Sequence, residues 1–234
     1  MAETTAPRPG ATQEEPEEAR HHSSERLVFF SDAVIAIAIT LLALELPIPG
    51  EGVHGNAGVL RFLHEHLPEY LAFLVSFTTI ATHWMAHQRL FRYATGTNGR
   101  VVRWNLVWLL MIVSMPFTTR LLTSEADAFQ VQFTIYAAAQ ALAGLCLTVA
   151  FAGVLKSGLL RPRTPPAGVA DALAWVTTMV VTFVLSIPVA LITPWASLCW
   201  VLFPLVRIAL RPVERRIADT VGALNATGRD IASV

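Results

Sequence analysis

The chain is short of charge, almost empty of lysine and poor in cysteine. Only 15% of its 234 residues are charged, and Lys156 is the single lysine. The two cysteines, Cys146 and Cys199, lie inside apolar stretches, where a thiol behaves as a small hydrophobe. Two such residues give no basis for a disulfide framework or a thiolate metal site. The formal net charge is zero, so no overall field draws the chain to nucleic acid. A glycine-rich phosphate loop, a His-Glu-x-x-His pair and a strand-to-helix nucleophile elbow are all missing. Ser31 stands beside Asp32, but a serine nucleophile also needs a base in reach and a place for an oxyanion. No enzyme activity, catalytic residue, cofactor or resident metal is therefore expected.

What the chain has in excess is apolar sequence. It is 54% hydrophobic with mean hydropathy +0.53, which places it among all-α polytopic membrane proteins. A membrane-crossing helix needs about 20 mainly apolar residues. Six stretches meet or approach this: 27–46, 68–93, 101–122, 129–155, 170–192 and 195–210. Pro47, Pro49 and Gly50 end the first, and residues 59–66 suit a short interfacial helix before the second. Pro116 predicts a kink or break near Phe117 in the third. Thr193-Pro194 leaves room only for a tight hairpin between the fifth and sixth. The six-helix domain is thus expected over residues 25–211. Residues 1–24 are polar, acidic and proline-bearing, without a signal-peptide pattern, and are expected to form a disordered cytoplasmic tail. A second cytoplasmic tail covers 212–234, where Val213, Ile217, Val221 and Leu224 recur at near-helical spacing and suit a short surface helix.

The basic residues sort by connection. Arg8, Arg20 and Arg26 precede the first helix; Arg89, Arg92, Arg100 and Arg103 surround the second connection. Lys156, Arg161 and Arg163 fill the fourth, and Arg207, Arg211, Arg215, Arg216 and Arg229 close the chain. The other three connections hold only Arg61 and Arg120. This alternation predicts six spans with both termini in the cytoplasm.

The first stretch carries polar residues that a plain anchor does not need. At 100° per residue, Val34, Ile37, Leu41 and Leu44 form one stripe, and Asp32 lies almost opposite Ile37. Such a stripe can meet lipid or a neighbouring helix, or it can line a pore. Ser31, Asp32 and Thr40 are costly toward lipid and call for partners. The second helix offers His83, Trp84 and His87 on one face, with Phe91 a turn beyond, and the third offers Asn105, whose amide both donates and accepts. A hydrogen-bonded network joining Asp32 or Ser31 to these residues is expected; a metal held by His83, His87 and Asp32 is the remoter alternative. Because Asp32, His83 and His87 are titratable groups at membrane depth, a proton-coupled or proton-conducting transporter is the alternative function.

At these residues the chain resembles the prokaryotic potassium channels of the transmembrane protein 175 family. The resemblance is carried by Arg26-x-x-x-Phe30-Ser31-Asp32, the Ala-Ile-Ala-Ile-Thr-Leu-Leu run from Ala36 to Leu42, and Leu44-Glu45. It continues in Trp84-x-x-His87-x-x-x-Phe91, Asn105-Leu106 and Pro116-Phe117. Helices four to six match only in number and hydrophobicity. The resemblance implies a multi-pass protein of the prokaryotic cell membrane, a homotetramer in the bilayer whose first helices surround a potassium path. It implies an apolar constriction at Ile37, with Leu41 and Leu44 further out, in place of the Thr-Val-Gly-Tyr-Gly carbonyl filter, which is absent here. Potassium would then be preferred over sodium only modestly, because isoleucine offers no oxygen to replace a hydration shell. Thr40 is the hydroxyl placed to help coordinate an ion, and Glu45 would gather cations at the outer mouth within about 8 Å. Arg26, Phe30, Ser31, Asp32, Trp84, His87 and Asn105 are implied to be structural. Gln88 stands where family members often carry a second histidine.

Overall fold

A computed structural model of the protein describes residues 14–161 and 164–232. Its described elements are helices: α1 (Glu14–Leu44), α2 (Gly55–Glu65), α3 (Leu67–Phe91), α4 (Gly99–Leu122), α5 (Phe129–Lys156) and α6 (Pro166–Ala190). A 3₁₀ segment (Pro194–Leu202), α7 (Phe203–Ala209) and α8 (Arg211–Ala232) follow. Local chemistry sets several starts. Pro68 sits in the first turn of α3, where its missing donor costs nothing. The Asn98 side chain accepts from the amides of Arg100 and Val101 and caps α4.

Four stretches within the described helices are long and apolar enough to cross a membrane: Ser23–Leu44, Gly99–Leu122, Phe129–Lys156 and Pro166–Ala190. The protein is a multi-pass membrane protein. α3 matches the second expected span in place, with its apolar run interrupted by Thr78, Thr79, Thr82, His83 and His87. α5 is the most enclosed span, and glycines let its neighbours come close. A Cβ at Gly144 would meet Val180 of α6 at 2.5 Å, and one at Gly153 would meet Val101 of α4 at 3.1 Å. Gly144→Leu is accordingly expected to cost about 1–3 kcal/mol through overpacking. A thermal melt of the detergent-purified protein would read this as a lower midpoint, with Gly52→Leu, beside open space, as a surface control for bulk alone.

The connections sort to two ends as the charges predict. After α3 and after α5 the chain pairs across, with the Thr95 amide on the Leu159 carbonyl (2.9 Å) and the Arg161 amide on the Tyr93 carbonyl (2.8 Å). Asn98 also donates to Ser157 (2.7 Å). These two arginine-bearing connections therefore share one end. At the other end, the Tyr70 hydroxyl donates to the Pro47 carbonyl (2.8 Å), Arg120 reaches Glu45, and Gln130 donates to the Leu191 carbonyl (3.4 Å).

Three expectations change. The sixth stretch is not one α-helix: it is 3₁₀ over Pro194–Leu202 and α-helical only over Phe203–Ala209. Pro204 falls at the junction, where it supplies no amide to carry an α-helical ladder across, and the larger rise of a 3₁₀ turn lets few residues travel far. Of the kink or break expected at Pro116 the break is absent, α4 being continuous through it, while the Ser114, Thr118 and Thr119 hydroxyls donate to nearby carbonyls of the same helix. α1 reaches back to Glu14, inside the expected disordered tail, where Glu14, Glu15, Glu17 and Glu18 are good helix formers and suit a helix N-terminus; residues 1–13 lie outside the described residues. The C-terminal tail forms α8, which packs along α6 with Ile217 against the main core. The side chains of Val213, Val221 and Leu224 are outside the described set.

Candidate ion pathway and its anchoring network

α1 has two unlike faces. Leu27, Ser31, Ile35, Ala38 and Leu42, spaced by three and four residues, are buried against α3 and α4. On the opposite side Ile37, Leu41 and Leu44 are 59%, 43% and 79% exposed. Of the four apolar spans α1 is the least covered by its own chain, with 28% of its most apolar window buried against 44%, 61% and 50% for the others. Val34, expected on the exposed stripe, instead packs partly against the core.

A directional chain of hydrogen bonds fixes which face looks inward. The Ser31 hydroxyl donates to the Leu27 carbonyl (2.8 Å), so its oxygen accepts from the Asn105 amide nitrogen (2.9 Å). That orientation turns the Asn105 oxygen to His87 Nε2 at 3.0 Å, and this nitrogen must therefore carry the proton. The His87 ring stacks on Trp108 (4.5 Å between centroids, 5° between planes) and on Phe91 (4.4 Å). Ser31, His87 and Asn105 are fully buried. Beside them the Asp32 carboxylate accepts from Trp84 Nε1 (2.9 Å) and from the Gln88 amide. A second buried set binds α3, α4 and α5 further along: Ser76 lies 2.7 Å from Thr119 and 2.9 Å from Tyr136.

The sequence-predicted residues divide accordingly. Ser31, His87 and Asn105 come together in one hydrogen-bonded set, and Asp32 and Trp84 in a second set beside it. Arg26 is exposed and lies outside these bonds, and Phe30 is also exposed; at seven residues before Ile37 it shares that open face. Gln88 and Trp108 were missed as members. Gln88 follows Trp84 by one turn, a spacing that could have placed it on the face toward Asp32. His83 is fully buried with neither ring nitrogen partnered, and a Cβ on Gly144 would sit 3.7 Å from its Cε1. It does not join Asp32 and His87 as ligands: among the described residues no three His, Cys, Asp or Glu side chains gather. Thr40 is exposed on the open face, its hydroxyl donating to the Ile37 carbonyl (2.8 Å), which leaves the oxygen's lone pairs unused. Glu45 pairs with Arg120 at 2.9 Å, so the charge expected to gather cations is met by an opposite one. Both partners are exposed and such pairs are weak. If this end of α1 is the mouth of a cation path, Glu45→Gln is thus expected to change the current less than twofold at physiological salt, whereas Arg120→Gln, which unmasks the carboxylate, should raise it more at low salt, as read by planar-bilayer recording.

Residues 26–116, which hold the open face of α1 and the bonds among Ser31, Asp32, Trp84, His87, Gln88 and Asn105, match the family model described as the endosomal/lysosomal potassium channel TMEM175. A potassium channel of Chamaesiphon minutus is 37% identical over 125 residues, 53% of this chain and 60% of the relative. A potassium channel of Streptomyces collinus is 30% identical over 146 residues, 61% of this chain and 70% of the relative. The chain belongs to the TMEM175 family. The crystal structure of a lysosomal potassium-selective channel TMEM175 homologue from Chamaesiphon minutus superposes with a TM-score of 0.63 at 29% identity, covering 80% of this chain and 97% of that one. The TMEM175 match ends at the proline of α4, so α5 to α8 join the family through the fold rather than through the family model. TMEM175 proteins are ion channels, not enzymes.

Proposed function

We propose that the protein is a potassium-permeable cation channel of the prokaryotic cell membrane, a homotetramer with four copies of α1 around the path. The observation that carries this is the pairing on α1 of an open apolar face with a buried face locked by Ser31, Asp32 and Asn105. Lipid would accept the open face, but lipid needs no such control of rotation. A pore does, because a turn of one residue would swing Ile37 out of line. The names of the bacterial relatives, both called potassium channels, support the permeant ion. Closed rotational symmetry is the usual way identical chains cover one face of a helix.

In this arrangement Ile37 forms the narrowest ring, with Leu41 and Leu44 beyond it. Four isoleucines exclude water when close and gate by dewetting. An ion crosses with part of its shell, helped by Thr40, and the weaker hydration of potassium favours it modestly over sodium. The arginine-bearing end is cytoplasmic. Purified protein in liposomes tests this: potassium efflux should exceed sodium efflux, and potassium efflux equal to that of empty liposomes would refute it. Proton flux without potassium flux would instead favour proton conduction, the reading to which buried, unpartnered His83 lends support.

A further inference from the structure

Two cavities outside the α1 face adjoin each other. The larger, about 920 Å³, is an apolar cleft between α3, α6 and the 3₁₀ segment, bordered by Leu71, Leu74, Thr78, Phe183 and Trp200 among others. Along α3 it extends from Pro68 to Thr82, about 21 Å at about 1.5 Å per residue. That is longer than one leaflet's half of a hydrocarbon core about 30 Å thick. The smaller, about 430 Å³, lies at the arginine-bearing end between α6, α7 and α8, and is bordered by Arg207, Ile208, Arg211 and Glu214. Trp175 and Phe203 border both cavities; their rings stack at 5.1 Å and mark where the two adjoin.

The charge at the smaller cavity is unbalanced. Arg207 donates through Nη2 to Asp171, lies 3.9 Å from Glu214, and sets its guanidinium 4.7 Å over Trp175. Asp171 is shared with Arg89 of α3 at 3.4 Å. Arg211 has no ion-pair partner among the described residues, and Arg207 Nη1 is buried with no hydrogen-bond partner. Three arginines thus meet two carboxylates, leaving one positive charge and an unused guanidinium donor beside a hydrocarbon-lined cleft. We infer that the two cavities together hold one anionic phospholipid, its phosphate at Arg207 and Arg211 and an acyl chain in the cleft beyond Trp175. A singly charged phosphate matches the excess charge, and guanidinium donors suit its oxygens. An amphiphile, unlike free phosphate, fills both spaces. Because Asp171 ties α7 to Arg89, one residue from Gln88 of the α1 network, this lipid sits against the helix that orients the pore. The inference rests on the membrane reading and not on ion conduction.

The test is native mass spectrometry of the delipidated full-length protein with added phosphatidylglycerol or phosphatidylcholine. Phosphatidylglycerol should bind in preference. Arg211→Gln, at an exposed position, should weaken that binding about fivefold. Thr78→Phe, also exposed and filling the cleft, should weaken it to a similar degree, while millimolar inorganic phosphate should not compete. Thermal melts of both variants check that they remain folded. Equal retention of the two lipids, unchanged phosphatidylglycerol binding in both folded variants, or full displacement by inorganic phosphate would each overturn the inference. The readout is bound mass, so a protein that binds lipid yet passes no potassium would refute the channel and leave the lipid site standing.

Discussion

Ile37→Asn is expected to raise potassium current at least about tenfold and to bring the potassium-to-sodium preference close to unity. Ile37 stands on the open face of α1, with the locked face behind it. In the proposed ring of four isoleucines the barrier to an ion is the loss of water without replacement, together with the tendency of the empty ring to dry. In that tetramer asparagine would bring four amide oxygens to the same level, hold water in the constriction, and offer partial replacement to either cation. A barrier lowered by about 1.4 kcal/mol already gives a tenfold faster passage. Selectivity falls by the same cause, because a hydrated constriction no longer penalises the more tightly hydrated sodium ion. Bilayer recordings under bi-ionic conditions give both quantities. Leu42→Asn, on the buried face, should instead lose folded protein.

Asn105→Leu is expected to destabilise the protein by about 2–3 kcal/mol, the cost of leaving a buried donor unpaired. Ser31 keeps its bond to the Leu27 carbonyl, so the orphan is on His87. Whichever ring nitrogen carries the proton then has no acceptor, since Nδ1 is already without a partner. Removing both sides of the bond should be far milder than removing one. His87→Phe keeps a ring between Phe91 and Trp108, so the double variant Asn105→Leu/His87→Phe should recover at least half of the lost melting temperature. Recovery of nothing would mean that the bond is not what Asn105 contributes.

Hydropathy alone placed α4, α5, α6 and the apolar span of α1 (Ser23–Leu44) to within a few residues, because a helix in lipid must satisfy its own backbone and so shows as a long apolar run. The same rule hid the sixth segment's true form: a 3₁₀ path is as apolar as an α-helix, and hydropathy carries no term for pitch. Ser31, Asp32, Trp84, His87 and Asn105 could be picked out since each is a polar or amphipathic group at a depth where it needs a partner. Their pairing could not, as it depends on helix rotation. In sequence Gln88 stands out only as a departure from a histidine pair, yet it donates to Asp32. The partner of Glu45 lies 75 residues away on Arg120, and nothing local announces it. Phe30 sits among motif residues in sequence but turns outward, because its position falls on the Ile37 side of α1.

Block by silver ions of single-cysteine channels tests most directly whether the open face of α1 meets the ions. Silver is a thiol-reactive monovalent cation, and the background is Cys146→Ala/Cys199→Ala, which removes both native thiols. If α1 lines the path as proposed, silver should abolish potassium current through Ile37→Cys and Leu41→Cys channels and leave Leu42→Cys and the thiol-free background untouched. Unaltered current through both Ile37→Cys and Leu41→Cys in the presence of silver, or block confined to Leu42→Cys, would place the ions elsewhere and contradict the account.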